Sequence, residues 1–242
     1  MQATPGADGA GRDGRKPAGT VYKLKICAEW HGKEEENQMN QERFEKQREF
    51  ILEIDKEKEI YRQTHLTNHG RREGDAEHAW HMAIMAYLLR EYSNTEVDIA
   101  HVMMMCLIHD IVEIDAGDTY AYDEEGLKTQ KEREEKAADR IFALLPEDQR
   151  DELRAIFEEF EAYETPEAKY AHAMDNLQPL LLNASNEGDD WKTHGVSFNT
   201  VWGRQQKTAR GSEALAAFSR AVMEDFADRG ILKDDREEKH EH

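Results

Sequence analysis

His109 and Asp110 interrupt the most apolar stretch of this chain, Val102-Met103-Met104-Met105-Cys106-Leu107-Ile108, and Glu113 follows them. On a helix, three- and four-residue spacings share a face, so positions 109, 110 and 113 point one way. An imidazole and two carboxylates in an apolar interior are costly unless something compensates, and a lone ion pair often fails to do so. A divalent cation compensates well, because it favours ionised carboxylates and takes imidazole nitrogen directly. Such a site needs further ligands. His78 lies on or beside the apolar stripe of a helix opened by Asp75, and Asp175 is flanked by Ala171, Met174 and Leu177. His78, His109, Asp110 and Asp175 together form a mixed nitrogen and oxygen set for Mn, Co, Fe, Zn or Mg, with positions left for water. A satisfied core hydrogen bond is the plain alternative for each residue singly; the adjacent pair with Glu113 favours the metal. No second cluster is visible in the sequence, so one divalent ion is expected.

The elements that must position these residues read as helices. Phe50, Ile51, Ile54 and Tyr61 make a stripe ending near Arg62. The Asp75 helix has an apolar set of Ala76, Ala79, Trp80, Ala83, Tyr87 and Leu88, with Asp75 as its N-cap. A third helix over about 97–114, apolar all round in its middle, is expected to be central. Helices follow at about 127–145 and 147–162, separated by Pro146. Thr165-Pro166-Glu167 opens another, running to about Gly188 with a kink expected at Pro179. Two more fit near 197–207 and 212–228. Residues 20–31 alternate like a strand but have no visible partner. The expectation is an all-α fold: a flexible N-terminal extension over 1–40, disordered at its start, one helical domain over 41–230, and a frayed tail over 231–242.

The order His78, His109-Asp110, Asp175 resembles the H…HD…D signature of the HD superfamily of metal-dependent phosphohydrolases. More narrowly, the segments from Arg71 to Trp80, from Ile108 to Asp118 and from Met174 to Pro179 resemble the 5′-deoxynucleotidase branch, with a likeness over roughly residues 50–205. The resemblance implies an HD-domain helical bundle, a homodimer, and release of phosphate from (deoxy)nucleoside 5′-monophosphates. A metal that lowers the pKa of a bound water would generate the nucleophile. Glu113 is placed to take that water's proton or to orient it. Asp118, on the Asp-Ala-Gly-Asp loop, is implied to contact substrate or protonate the leaving oxygen; an acid stabilising a turn is the competing reading. Arg62 matches a phosphate-binding position of the family. Arg71 and Arg72 precede the His78 helix, and all three could converge on one mouth, where the guanidinium fork suits phosphate. Gln63 follows Arg62 where the bacterial deoxynucleotidases carry a tryptophan against the sugar, so deoxyribose preference stays open; Ala79 stands where serine is common. His81 is a candidate to support His78, and His172 a weaker one for Asp175.

The 242 residues carry 52 Asp and Glu against 32 Lys and Arg, a formal charge of −20. That balance disfavours nucleic acid and anionic membranes as partners, and it means a phosphate substrate needs a local group of cations. The longest apolar run is too short to span a bilayer. Two cysteines cannot build a disulfide framework, and the start lacks a signal-peptide pattern, so a cytoplasmic setting is expected. Two rivals remain open. One is hydrolysis of another phosphoester, such as a cyclic nucleotide, a triphosphate or an alarmone; the other is a non-catalytic, metal-stabilised interaction protein.

Overall fold

The computed structural model describes residues 34–119 and 124–237. The chain divides into a unit of residues 1–39, described only from residue 34, and a unit of residues 40–242. The expected disordered start and the alternating segment at 20–31 lie outside the described residues, as do residues 238–242.

The sequence opens with α1 (Glu34–Ile54) and a 3-10 turn (Asp55–Glu59), then a hairpin of β1 (Tyr61–His65) and β2 (Arg72–Gly74). The strands pair antiparallel, Tyr61 opposite Gly74 and His65 opposite Arg72. Next come α2 (Asp75–Leu88), α3 (Ile99–Ile108), α4 (Glu113–Ala116), α5 (Glu124–Phe142) and α6 (Glu147–Ala162). The chain continues through α7 (Pro166–Ser185), α8 (Asp189–His194), α9 (Phe198–Gln205), a 3-10 turn (Gln206–Arg210) and α10 (Glu213–Asp228). Local chemistry starts several of these helices. The Asp98 carboxylate accepts from the Ala100 and His101 amides at the head of α3, and Thr165 Oγ1 accepts from the Ala168 amide at the head of α7, where Pro166 needs no amide partner.

Helices α2, α3 and α7 pack on one another and carry the centre of the core. Met82 and Ala86 from α2, Val102, Met105 and Cys106 from α3, and Tyr170, Met174 and Leu177 from α7 are all buried there. The Tyr170 hydroxyl donates to the Ala86 carbonyl at 3.2 Å, satisfying the one polar atom that this aromatic brings inside.

The all-α class holds, with corrections of detail. Arg62 does not end a helix. It lies on β1, because α1 gives way at Ile54 and the chain turns into the hairpin. The buried face of α2 is Ala79, Met82, Ala83, Met85 and Ala86, whereas Trp80, Tyr87 and Leu88 are exposed. Small residues and flexible methionines let α3 and α7 approach closely, and the aromatics fall on the opposite side. For the same reason α3 is not apolar-buried all round, since Met104 and Leu107 are half exposed.

The predicted helix over 97–114 is two helices, with tight turns between, in which the Glu113 amide donates to the Asp110 carbonyl at 2.9 Å. Pro179 lies inside α7 without ending it. Residues 34–40 of the expected flexible extension are helical. The expected tail at 231–237 is packed: Leu232 is buried, the Phe198 amide donates to the Lys233 carbonyl at 2.9 Å, and the Asn199 amide donates to Asp235 at 2.8 Å.

Gly211 sets how closely the 3-10 segment Gln206–Arg210 meets α7, because a β-carbon there would collide with the Lys169 carbonyl and the Tyr170 Cα. Both are backbone atoms and cannot step aside. Gly211→Ala should therefore destabilise the fold by about 1–3 kcal/mol in urea denaturation. Gly203, inside α9 with nothing within 4 Å of the same test atom, is the control. Gly203→Ala should be neutral or stabilising, by up to about 1 kcal/mol.

Candidate metal centre and cleft

Two helices and one turn deliver the expected ligand set to one place. His78 projects from the first turn of α2, His109 and Asp110 from the turn after α3, and Asp175 from the middle of α7. His78 Nε2 is 3.3 Å from Asp175 Oδ1 and 3.9 Å from Asp110 Oδ2, and His109 Nε2 is 3.0 Å from Asp110 Oδ2. One ligand atom from each of His78, His109 and Asp110 lies within 4.8 Å of the others. The two imidazole centroids are 5.5 Å apart.

The tautomers follow from hydrogen bonding. His109 Nδ1 is 2.9 Å from the Cys106 carbonyl, which can only accept, so Nδ1 carries the hydrogen. Gln178 Nε2 donates to Glu73 Oε1 at 2.6 Å, which fixes the amide so that its Oε1 accepts from His78 Nδ1 at 2.9 Å. Both histidines thus turn Nε2 toward the carboxylates, and both Nε2 atoms are buried with no hydrogen-bond partner among the described residues. Paired orphan imidazole nitrogens facing two carboxylates fit a divalent cation, and the bonds on Nδ1 are the outer support such ligands need.

The electrostatics agree for His78 and the two aspartates, while His109 must give up a proton to serve as a ligand. Burial lowers the His78 pKa to about 4, so the ring is neutral and its Nε2 lone pair free. Burial also opposes charge on His109, but Asp110 beside it prevails and raises that pKa to about 9. Asp110 is held well below the usual range, burial being outweighed by His109 and Arg62, and Asp175 likewise by Arg204 and His78. The two carboxylates are ionised, as a cation requires.

The carboxylate neighbourhood is larger than the sequence suggests. Asp75, Asp110 and Glu113 offer oxygens within 4.8 Å of one another, so the expectation of no second cluster does not hold. Asp75 is not an N-cap: Gly74 takes that position, and Asp75 is the fully buried first residue of α2. Burial, Asp110 and Asp75 all push the Glu113 pKa far up, so Glu113 and Asp75 share a proton. Glu57, buried below them, is raised to about 8 by burial and by Asp110.

A small open cleft of about 70 Å³ adjoins the centre. Arg62, Gln63, Asp118, Asn176, Trp191 and Arg204 are among the residues that line it. Arg62 is inserted between acids, its Nη1 donating to Asp110 Oδ2 at 2.8 Å and lying 3.5 Å from Asp75 Oδ1. Burial raises the Asp118 pKa, with Arg62 opposing. Arg71 and Arg72 do not join them. Both are exposed, and Arg71 is occupied by a two-pronged pairing with Glu77 at 2.7 and 2.5 Å, since its side of the hairpin faces solvent.

Sequence reasoning missed Gln178, Glu73, Asn176 and Arg204. An amide within the apolar run Leu177-Gln178-Pro179-Leu180 was a signal for Gln178; Arg204 gave none, being one arginine on an ordinary amphipathic helix. His81 joins the outer network at 3.1 Å from Gln178 Nε2, whereas His172 stacks on Phe160 at 3.9 Å and bonds its carbonyl instead of Asp175. Replacing Gln178 with Leu removes the acceptor that fixes the His78 tautomer. Affinity for Mn or Co, read by chelator competition, should fall by about 10–100-fold with the fold intact. An unchanged affinity would deny the amide that role.

The HD-domain family model matches residues 54–216. The chain is 32% identical over 119 residues to the human 5′-deoxynucleotidase HDDC2, covering 49% of this chain and 56% of that protein. To the Danio rerio protein of the same name it is 30% identical over 109 residues, 45% of this chain and 53% of the other. The chain thus spans little more than half the length of these relatives. Among solved structures, it is similar to a crystal structure described as a predicted metal-dependent phosphohydrolase from Magnetospirillum magnetotacticum MS-1, with a TM-score of 0.75 and 50% identity, covering 78% of this chain and 95% of that one. The chain belongs to the HD-domain family.

Proposed function

We propose that this protein is a metal-dependent phosphomonoesterase that releases phosphate from nucleoside 5′-monophosphates, deoxynucleotides among them. The observation that carries the reading is the pair of orphaned, tautomer-fixed Nε2 atoms facing Asp110 and Asp175 beside a cleft lined by Arg62. A divalent cation held by His78, His109, Asp110 and Asp175 would supply Lewis acidity, lowering the pKa of water and offsetting phosphate charge. The chain's own groups do the rest. Arg62, fixed by Asp110, presents its remaining guanidinium N–H groups to the phosphate. Glu113, protonated beside Asp75, orients the attacking water and takes its proton once its own proton rests on Asp75. Asp118 on the cleft wall returns a proton to the leaving 5′-oxygen. The names of the human and fish relatives support a deoxynucleotide substrate. Gln63 on the cleft wall is the residue by which deoxy and ribo sugars are to be compared.

We also propose a homodimer in a cytoplasmic setting. Trp80, Ile84, Tyr87 and Leu88 form an exposed apolar stripe along α2, and Met104 and Leu107 another on its packed neighbour α3; both would be covered by a second copy. Cys106 is buried and free, in keeping with a reducing setting. No helix among the described residues is long and apolar enough to cross a membrane.

Phosphate release from deoxy- and ribonucleoside 5′-monophosphates with Mn, Co, Mg or Zn tests the activity. Asp110→Ala should abolish release and metal uptake together, while Glu113→Gln should abolish release yet keep the metal. Release from cyclic nucleotides or triphosphates alone would move the substrate elsewhere, and metal uptake with no turnover of any phosphoester would favour a binding role. Light scattering should give about twice 28.0 kDa for the chain, and the Trp80→Glu, Leu88→Glu double variant should return it to a single copy.

A further inference from the structure

Arg62 and Arg204 are the only Lys or Arg side chains on the cleft wall among the described residues. Each is tied by one edge to a carboxylate of the ligand set. Arg62 Nη1 donates to Asp110 Oδ2 at 2.8 Å, and Arg204 Nη2 donates to Asp175 Oδ2 at 3.0 Å while its Nε donates to Asn176 Oδ1 at 2.9 Å. A guanidinium has five N–H donors, and those bonds use two of Arg204's. Its Nη1 bonds to no acceptor among the described residues, and 28% of the side chain is exposed where it lines the cleft. Asp118 feels both arginines, which puts them within electrostatic range of one point.

A phosphate monoester near neutral pH carries close to two negative charges, and the chain it must enter has a formal charge of −20. Arg62 alone leaves that charge half matched, and Arg71 and Arg72 do not reach the cleft. We propose that Arg204 is a second phosphate-binding residue, gripping the substrate phosphate with its Nη1 edge while its other edge stays on Asp175 and Asn176. This rests on the phosphomonoesterase reading above. The alternative is that Arg204 only holds Asp175 in place for the metal.

The two are separated by measuring inorganic phosphate binding to the Mn-loaded protein by calorimetry, beside metal content and the kcat and KM for a turned-over monophosphate. Arg204→Met should weaken phosphate binding and raise KM by about ten- to hundredfold while metal stoichiometry and Tm stay at wild-type values. Arg204→Lys keeps the charge but not the fork; it should hold its metal and still bind phosphate several-fold more weakly. If the variants lose Mn in parallel with phosphate, Arg204 is a positioning residue for Asp175 and the proposal is overturned. It is also overturned if both variants match wild type in phosphate affinity and KM, in which case phosphomonoesterase activity stands without it. A wild-type protein that neither binds phosphate nor releases it would defeat the underlying reading, and this inference with it.

Discussion

Two imidazoles and several carboxylates are buried at one point in the core, and the rest of the structure answers to the cost of that burial. His78 is fully buried and His109 nearly so, while Asp75, Asp110 and Glu113 all lie out of bulk water. No apolar packing offsets that, because each ionised group left without a partner costs several kcal/mol. The compensation is arranged in layers. Each of the two imidazoles has an acceptor for its Nδ1, each candidate ligand carboxylate has a guanidinium, and Glu113 and Glu57 are pushed toward their protonated forms. What is left unsatisfied there includes both Nε2 atoms, where a divalent cation would be bound, and one oxygen each of Glu73, Asp75 and Glu113 beside them.

This arrangement explains why α2, α3 and α7 pack where they do. A histidine at the start of α2 and an aspartate midway along α7 can meet the turn after α3 only if the three helices pack closely. Ala79, Ala83 and Ala86 on α2 and Ala168, Ala171 and Ala173 on α7 are all buried and keep the side chains between the axes small. Gln178 lies one turn beyond Asp175, so one stretch of α7 supplies both a candidate ligand and the support for another. The break between α3 and α4 serves the same end. A continuous helix would carry its polar face along one straight stripe, whereas the turn at 109–112 lets His109, Asp110 and Glu113 all stay inside.

Much of this was legible from residue types and spacing. A His-Asp pair directly after a run of seven apolar residues is a costly anomaly, and the helices flanking it declare themselves by period and caps. Less legible were features that depend on which face of a helix is inward. Trp80 and Leu88 look like core and are exposed, because the methionines took the inner positions. Asp75 reads as a cap since cap and buried acid use the same residue type at the same place in a helix. Arg204 was illegible in principle, lying 29 residues from Asp175 on an element with no local sign of the partnership. Long-range pairings of single charged groups leave no periodicity, so only the fold reveals them.

The overall charge sharpens the last point. A protein with 52 acidic residues against 32 basic ones should repel any phosphate, and more so in a cleft already holding Asp118. Free surface cations would not solve this, because such a side chain finds a nearby carboxylate instead; Arg71 does so with Glu77. Arg62 and Arg204 differ in that their acidic partners are the candidate ligand carboxylates Asp110 and Asp175. A cation bound between Asp110 and Asp175 would draw on their charge, while Arg204 keeps its bond to Asp175 Oδ2, the oxygen other than the one nearest His78. On the proposed reading, the carboxylates hold each arginine by one edge and leave its remaining N–H groups to receive an anion. The charge that the acids spend on the metal is then charge that the arginines can offer to phosphate, so an acidic chain can select an anionic substrate without carrying a basic surface.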